Sequence, residues 1–139
     1  PDKQSIMGHS MGGLGALNIA FRNPEIYKTV SAFAPIANPT KGIWGQKQFE
    51  AYLGKETENW KKYDPSILLN EQGYKGKILI DQGTKDDFLK NLMPEALEKI
   101  FNNRNNGDQL RYQKDYDHSY FFVSSFLKDH VLWHKDNVK

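Results

Sequence analysis

The sequence predicts an α/β fold in which a mostly parallel sheet carries helices on both faces. Along the 139 residues, short apolar segments of strand character alternate with segments of helical periodicity, and this alternation is typical of parallel sheets. One of the strand segments, Lys77–Gly83 (KILIDQG), is almost continuously apolar rather than alternating. A continuous apolar run is expected of a parallel strand that is covered on both faces.

The first half of the chain contributes two strands and one long helix. Gln4–Gly8 is a short predicted strand that runs into a glycine, and Met11–Arg22 follows as a helix that an Asn-Pro pair ends. Thr29–Pro35 is rich in β-forming residues and predicts the second strand. A loop rich in Gly, Pro and Asn then leads to short helical stretches, which we expect around Phe49–Leu53 and Thr57–Tyr63.

The second half begins with the strand Lys77–Gly83 and continues with two further helices and one strand. Pro94–Arg104 predicts a helix with proline in its first turn. Gln109–Tyr116 alternates between apolar and polar residues and predicts a strand nearer an edge of the sheet. Ser119–Asn137 predicts a long amphipathic helix. Its expected apolar stripe consists of Phe122, Val123, Phe126, Leu127, Val131 and Leu132.

Composition excludes several classes of function. The 19 basic and 17 acidic side chains leave a net charge of +2, which argues against nucleic acid or an anionic membrane as partner. The absence of cysteine excludes disulfides, cysteine metal sites and a thiol nucleophile. No segment is long and apolar enough to span a bilayer, and the opening residues, PDKQSIMG, do not have the pattern of a signal peptide.

The segment GHSMG, from Gly8 to Gly12, matches the G-x-S-x-G pattern and lies between a predicted strand and a predicted helix. That context is typical of a nucleophile elbow, a tight turn that raises the serine hydroxyl, here Ser10, above the sheet. Glycine at Gly8 and Gly12 is expected to leave room for the turn. The helix N-terminus favours negative charge on a substrate oxygen, and the N–H of Met11 is a candidate oxyanion donor. Because short motifs also match by chance, an ordinary serine in a glycine-rich turn is the alternative.

A serine nucleophile needs a histidine base and an acid that orients it, in the chain order Ser, Asp or Glu, His. Asp86 and Asp87 follow the strand that ends in LIDQG, and His118 follows the last predicted strand. The alternatives are solvated turn aspartates and a surface histidine, and at most one of the two aspartates can point at His118. Either Asp117 or Ser119 could cap the last helix.

The remaining histidines have simpler interpretations. His9 is expected to pack beside the nucleophile and not to act as the base. His130 and His134 lie one helical turn apart, as metal ligands can. The glutamate of an H-E-x-x-H motif is missing and no third ligand is evident. We therefore expect exposed helix residues there and no metal.

Together these segments resemble the S-formylglutathione hydrolases, the esterase D family of α/β-hydrolases. The resemblance runs through GHSMGGLGAL, YKTVSAFAPIANP, WGQKQFEAYLG, ILIDQGTKDDFL and YDHSYFFVSSFLKDHVLWH, which cover nearly all of the chain. Many hydrolases share the first of these segments. The WGQKQFEAYLG and YDHSYFF stretches are much narrower signals of the family.

The resemblance implies a catalytic triad of Ser10, Asp86 and His118. Asp86 is preferred to Asp87 because family members resemble D-x-F-L here. It also implies hydrolysis of S-formylglutathione to formate and glutathione through a formyl-serine intermediate, in formaldehyde detoxification, and cleavage of small esters. Trp44 resembles a residue of a family loop near the substrate, with a packed loop tryptophan as the alternative. A cytoplasmic enzyme without metal or organic cofactor, often dimeric, is expected on the same ground.

Family members carry a long N-terminal half before the elbow, with the first strands of the sheet and a loop that supplies a second oxyanion N–H. Residues 1–139 are therefore expected to be the C-terminal portion of a single α/β-hydrolase domain. We expect activity only when this portion is joined to, or folded with, the missing half. The alternatives are a general carboxylesterase or acyltransferase with the same triad, and an inactive half-domain that binds a partner chain or a ligand.

Overall fold

The computed structural model describes residues 3–138, so residues 1, 2 and 139 of the predicted domain lie outside the described residues. It contains a parallel sheet whose spatial order, β1-β2-β3-β4, follows the chain. The strands are β1 (Gln4–His9), β2 (Tyr27–Phe33), β3 (Lys77–Gly83) and β4 (Gln109–Gln113). Because all four run in the same direction, their carboxyl ends meet at one edge of the sheet. The predicted α/β class is confirmed.

Helices connect the strands, and the last helix follows β4. They are α1 (Met11–Arg22), α2 (Ile43–Leu53), α3 (Thr57–Trp60) with a 3-10 turn (Lys61–Tyr63), α4 (Pro65–Glu71), α5 (Leu89–Leu92), α6 (Glu95–Arg104) and α7 (Tyr120–Asn137). The sequence did not predict α4 or α5. It also placed the start of α2 too late, at Phe49, and the end of β4 too late, at Tyr116.

The two faces of the sheet are covered by different kinds of side chain. Val30 and Ile80 face α1, α4 and α6 in the main apolar core, whereas alternate residues of the same strands, Ser31 and Asp81, face α7. The buried residues of this main core include Leu17, Ala20, Phe21, Val30, Ala32, Leu68, Leu69, Ile78, Ile80, Leu97 and Phe101. Since neighbouring residues of a strand point to opposite faces, helices cover both sides, as predicted.

The inward face of α7 differs from the predicted apolar stripe. Phe122 is buried, but three members of the stripe are exposed: Leu127, Val131 and Leu132. His130 and His134, expected at the surface, are instead 0% and 6% exposed. Both histidines lie at four-residue spacing on the same helix face as Phe122. On that face they hydrogen-bond the polar side chains of β2 and β3, which explains why polar residues are buried there.

One buried carboxylate, Asp64, connects the loop before α2 to the N-terminus of α4. Asp64 caps α4, where its Oδ1 accepts the N–H of Ser66 at 3.0 Å. Its Oδ2 accepts the N–H and the hydroxyl of Thr40, at 3.0 and 2.7 Å. A buried carboxylate with several donors has little freedom to move. Asp64 therefore restrains the loop that leads into α2, the helix that carries Trp44.

Candidate active site

Ser10 occupies a strained turn between β1 and α1. Its φ of 57° and ψ of −117° lie where residues other than glycine are rarely found, a conformation that costs on the order of 1–3 kcal/mol. Hydrogen bonds fix the residue from both sides. Its N–H donates to the carbonyl of Phe33 at 2.9 Å, and its carbonyl accepts the N–H of Leu14 at 3.0 Å. The turn places the hydroxyl at the carboxyl edge of the sheet.

The glycines around Ser10 have different roles. A Cβ at Gly8 would lie 2.0 Å from the carbonyl oxygen of Gly12, and a Cβ at Gly13 would lie 2.9 Å from the Cβ of Pro35. At Gly12 itself, a Cβ would meet no described atom within 4 Å. The expectation that Gly12 leaves room for the turn is therefore wrong, because its carbonyl, rather than its Cα, makes the close approach to Gly8.

A continuous chain of hydrogen bonds joins Ser10, His118 and Asp86. The Oγ of Ser10 lies 2.9 Å from the Nε2 of His118, and the Nδ1 of His118 lies 2.6 Å from the Oδ2 of Asp86. An ionised carboxylate can only accept, so Nδ1 carries the proton and Nε2 is free to accept from the serine hydroxyl. In this arrangement Nε2 can act as a base toward Ser10.

Asp86 is a buried carboxylate with three donors. Its Oδ1 accepts the N–H of Phe88 at 2.8 Å, and its Oδ2 accepts from Gln82 Nε2 at 3.0 Å as well as from His118. Burial raises the pKa of Asp86, but the hydrogen bonds from His118, Phe88 and Gln82 outweigh it and hold that pKa below its ordinary value. The neighbouring Asp87 is exposed, so the geometry favours Asp86 as the partner of His118.

The loops after β3 and β4 are tied together, which brings the acid to the histidine. The N–H of Lys85 donates to the carbonyl of Tyr116 at 2.9 Å. A Cβ at Gly83 would lie 2.3 Å from that same carbonyl oxygen, so only glycine permits the approach. Beyond His118, the carboxylate of Asp117 accepts the N–H of Ser119 at 2.9 Å. Of the two predicted caps, Ser119 is the N-cap residue of α7, and Asp117 supplies the side-chain hydrogen bond.

His9 packs against the histidine of this chain. The two ring centroids, of His9 and His118, are 4.8 Å apart. Burial lowers the pKa of His9, and the nearby charge of His118 lowers it further. Among the described residues, no group hydrogen-bonds its Nε2. His9 therefore lies beside the candidate base, in surroundings that favour the neutral form of its ring.

Trp44 is connected to His118 through the ring of Phe88. Its ring centroid is 4.8 Å from that of Phe88, and Phe88 meets His118 edge-on at 5.1 Å. Phe88 is 38% exposed, so it lines the surface beside the histidine. Sequence reasoning did not assign a role to Phe88, although it lies in the D-x-F-L segment that singled out Asp86.

Met11 is the first residue of α1. An N–H in the first turn of a helix has no acceptor within that helix, and it lies at the positive end of the helix dipole. The N–H of Met11 is therefore suited to donate to an oxyanion formed next to Ser10. The side chain of Met11 is 55% exposed and lies 3.1 Å from the amide nitrogen of Gln48.

His130 and His134 bind side chains of the sheet. His130 Nδ1 lies 2.8 Å from Ser31 Oγ and its Nε2 lies 3.1 Å from Asp81 Oδ2. His134 contacts Ser31 and Thr29 at 2.8 and 2.7 Å. Within residues 3–138, no group of three or more His, Asp or Glu side chains is placed to hold a metal ion. In the same range, no helix combines the length and apolar character that crossing a membrane requires.

The strained serine after the first strand, and the acid and histidine after later parallel strands, define the α/β-hydrolase class. The chain belongs to the esterase family, because the family model described as "Putative esterase" matches residues 1–133.

Known relatives support the resemblance to S-formylglutathione hydrolases. The chain is 53% identical over 137 residues to an S-formylglutathione hydrolase of Paracoccus denitrificans, which covers 99% of this chain and 49% of that protein. It superposes on an S-formylglutathione hydrolase from Agrobacterium tumefaciens with a TM-score of 0.92 at 43% identity, over 99% of this chain and 50% of the other. The chain thus spans about half the length of these relatives.

A more distant structure shares the fold alone. A fluorophosphonate-binding serine hydrolase of Staphylococcus aureus superposes with a TM-score of 0.77 at 22% identity. The superposition covers 99% of this chain and 55% of the staphylococcal protein. The four-stranded arrangement is therefore retained where most of the sequence has changed.

Proposed function

We propose that this chain supplies the nucleophile, base and acid of a serine hydrolase that cleaves the thioester S-formylglutathione to formate and glutathione. The observation that carries the proposal is the unbroken hydrogen-bond chain from Ser10 through His118 to Asp86. The substrate follows from the similarity to S-formylglutathione hydrolases over 99% of this chain. A cytoplasmic location belongs to the same proposal and rests on that similarity alone.

In the first half of the proposed reaction, His118 Nε2 takes the hydroxyl proton as Ser10 Oγ attacks the formyl carbon. The carbonyl electron pair moves onto oxygen, and the N–H of Met11 donates to that oxyanion. The carbonyl then re-forms, the C–S bond breaks, and the departing glutathione sulfur takes the proton from His118. The product on the enzyme is a formyl ester of Ser10.

In the second half, His118 takes a proton from water as the water oxygen attacks the formyl ester. Collapse of the second oxyanion breaks the ester bond, the oxygen of Ser10 recovers the proton from His118, and formic acid leaves, which releases its proton to water and becomes formate. Asp86 fixes the tautomer of His118 throughout and stabilises its positive charge. Trp44 and Phe88, which extend from His118 across the surface, are proposed to contact the substrate.

The proposal includes a second polypeptide half. The chain spans about half of its relatives, and among the described strands β1 lies at an edge of the sheet. A strand edge with unpaired backbone groups accepts a further strand. We propose that residues 1–139 are one portion of a single hydrolase domain, that the other portion pairs with β1 and supplies a second oxyanion donor, and that the completed protein dimerises.

The test compares the chain alone with the chain folded together with the unmatched half of the Paracoccus denitrificans relative. We expect rapid hydrolysis of S-formylglutathione by the complemented protein. The chain alone should be slower by about a hundred- to a thousandfold or more, because it lacks one oxyanion donor. Ser10→Ala should lower kcat by about 10⁴-fold or more. Ser124→Ala removes an exposed hydroxyl from α7 and serves as the matched control.

Other outcomes separate the alternatives. Cleavage of aryl esters that depends on Ser10, without turnover of S-formylglutathione, would indicate a general carboxylesterase. A complemented protein whose Ser10 does not react with a fluorophosphonate would contradict the assignment of the nucleophile. Full activity from the isolated chain would contradict the need for a second half.

A further inference from the structure

Gln82 is a fully buried polar residue near the carboxyl end of β3. Its Nε2 donates to Asp86 Oδ2 at 3.0 Å and to the carbonyl of Gly83 at 3.2 Å. Both neighbours are acceptors, so only the nitrogen of the amide can face them. Exchanging the amide nitrogen and oxygen would place an oxygen against a carboxylate and a carbonyl, and the orientation is therefore fixed by its partners.

The other end of the same amide is unsatisfied. Among the described residues, no donor reaches Gln82 Oε1, although the atom is buried. A buried acceptor without a partner is destabilising, and an apolar side chain of similar size would avoid that penalty. Glutamine is thus a poor choice for packing alone, and the contact that distinguishes it from an apolar residue is the donation to Asp86.

The contact restrains the carboxylate that faces His118. Oδ1 of Asp86 is held by the N–H of Phe88, and Oδ2 is held by Gln82 while it accepts from His118 Nδ1. Two donors on different oxygens prevent rotation of the carboxylate about its Cβ–Cγ bond. Oδ2 therefore keeps its second lone pair directed at His118, whether or not the imidazole is charged.

We propose that Gln82 is a positioning residue, which holds Oδ2 of Asp86 toward Nδ1 of His118 by donating its Nε2–H. The proposal rests on the function proposed above for Ser10, His118 and Asp86. Gln82 is fully buried, and the hydrogen bonds of its side chain go to Asp86 and Gly83 and not to Ser10 or His118. Its effect passes through Asp86 to the orientation and tautomer of His118, and so it acts on the chemical step rather than on substrate binding.

The chain offers a matched control for this contact. Gln113 also donates its Nε2 to a buried carboxylate, Asp81 Oδ1, at 3.3 Å, but that carboxylate does not contact His118. In the complemented protein we expect Gln82→Met to lower kcat about ten- to a hundredfold, the effect of losing one hydrogen bond to a charged group. KM should change little, and Gln113→Met should leave kcat unchanged.

Gln82→Asn is the second variant. It keeps a polar amide in the core, but its side chain is one methylene shorter and does not reach Asp86. We expect the same loss of kcat as for Gln82→Met. If the methionine variant does not fold, the asparagine variant decides the question, with thermal unfolding to confirm that the protein tested is native.

A spectroscopic measurement separates this proposal from the proposed function. The Nδ1 proton of His118 shared with Asp86 should give a far-downfield proton resonance, which needs no substrate. We expect Gln82→Met and Gln82→Asn to move or broaden this resonance, and Gln113→Met to leave it in place. An unmoved resonance together with unchanged kcat in folded Gln82 variants would overturn the proposal. Absence of turnover in the unsubstituted protein would contradict the proposed function, while the resonance would still decide the role of Gln82.

Discussion

Among the described residues, two hydrogen-bonded sets combine a serine, a histidine and an aspartate, and they lie in different parts of the fold. The first is Ser10, His118 and Asp86, at the carboxyl edge of the sheet. The second, which we call the buried set, is Ser31, His130 and Asp81 between the sheet and α7, with contacts of 2.8 and 3.1 Å. Both sets contain the same residue types, with serine–histidine distances of 2.9 and 2.8 Å, but the ring is reversed: Nε2 of His118 faces Ser10, whereas Nδ1 of His130 faces Ser31. The residue types alone therefore do not distinguish a site.

Backbone position is the first difference. Ser10 lies in a strained turn at positive φ, and its hydroxyl faces the edge of the sheet. Ser31 lies within β2, is 0% exposed, and contacts both His130 and His134. A hydroxyl inside a paired strand and under a helix cannot approach a carbonyl carbon. The same three residue types therefore form a candidate site where the strand ends and a structural network where it continues.

Charge balance is the second difference. Asp81 makes a two-point ion pair with Arg111, at 2.6 Å for each oxygen, in addition to its contact with His130. Among the described residues Asp86 contacts no arginine or lysine, and His118 is its only ring donor. Because Arg111 already neutralises Asp81, this carboxylate would stabilise a positive charge on its histidine only weakly. Asp86 has no such cation and can stabilise a positive charge on His118. The comparison indicates that the buried set fastens α7 to the sheet.

The largest predicted contrast follows from replacing the two aspartates in turn. Asp86→Asn should lower kcat by about 10⁴-fold, because the amide disfavours the required tautomer of His118, and should destabilise the protein by about 1–3 kcal/mol, because the amide nitrogen would face a donor that the carboxylate accepts. Asp81→Asn should leave activity per folded molecule intact but destabilise the complemented protein by about 3 kcal/mol. This loss of stability is at the low end of the range for breaking a buried ion pair, because Arg111 is partly exposed. Steady-state kinetics and urea unfolding distinguish these outcomes, and a kinetic defect in the Asp81 variant would contradict the comparison.

The candidate site was more predictable from sequence than the buried set. Ser10, Asp86 and His118 each follow a strand of a parallel sheet, and parallel strands end at one edge, so chain order alone predicted that they would meet. The structure brings them together, and their catalytic role stays a prediction. The burial of His130 and His134 was not predicted, because it depends on polar residues about a hundred positions earlier, in β2.

Two signals in the sequence could have reduced the remaining errors. Asp64 followed by Pro65 has the pattern of an N-cap with proline in the first turn, and it predicts α4. Thr29 and Ser31 alternate with apolar residues in β2, which indicates that one face of this strand is polar. Such a face needs a polar partner, and α7 supplies one with its histidines. The contact between Gln82 and Asp86 had no comparable signal, since it depends on the loop geometry after β3.

The second prediction concerns pH and sharpens the same contrast. Burial, together with the smaller effect of the charge of His130, lowers the pKa of His134 to about 4. The unfolded chain, with a pKa near 6.5, therefore binds more protons between these two values. Stability should fall as the pH is lowered through this window, by about 2 kcal/mol between about pH 7 and about pH 5 from His134 alone.

The check for His134 is urea unfolding at fixed protein concentration, with His134→Gln as the comparison. Glutamine keeps a donor and an acceptor facing Thr29 and Ser31 but does not titrate in this range. The pH dependence of stability should be shallower in the variant by about the amount given above. An identical slope in both proteins would show that His134 is not held neutral by burial.

The smallest predicted effect tests the cation that neutralises Asp81. Arg111 meets both carboxylate oxygens with two nitrogens, a two-point contact that lysine, a single-point donor, cannot reproduce. Its side chain is 33% exposed on β4, so solvent screens the pair and Arg111→Lys should destabilise the protein by only about 1 kcal/mol. The measurement is a lower urea midpoint at unchanged slope, with kcat unaffected because Asp86 does not depend on this cation. A loss of kcat without a loss of stability would show that the two sets are coupled through β3, where Asp81 and Gln82 are neighbours.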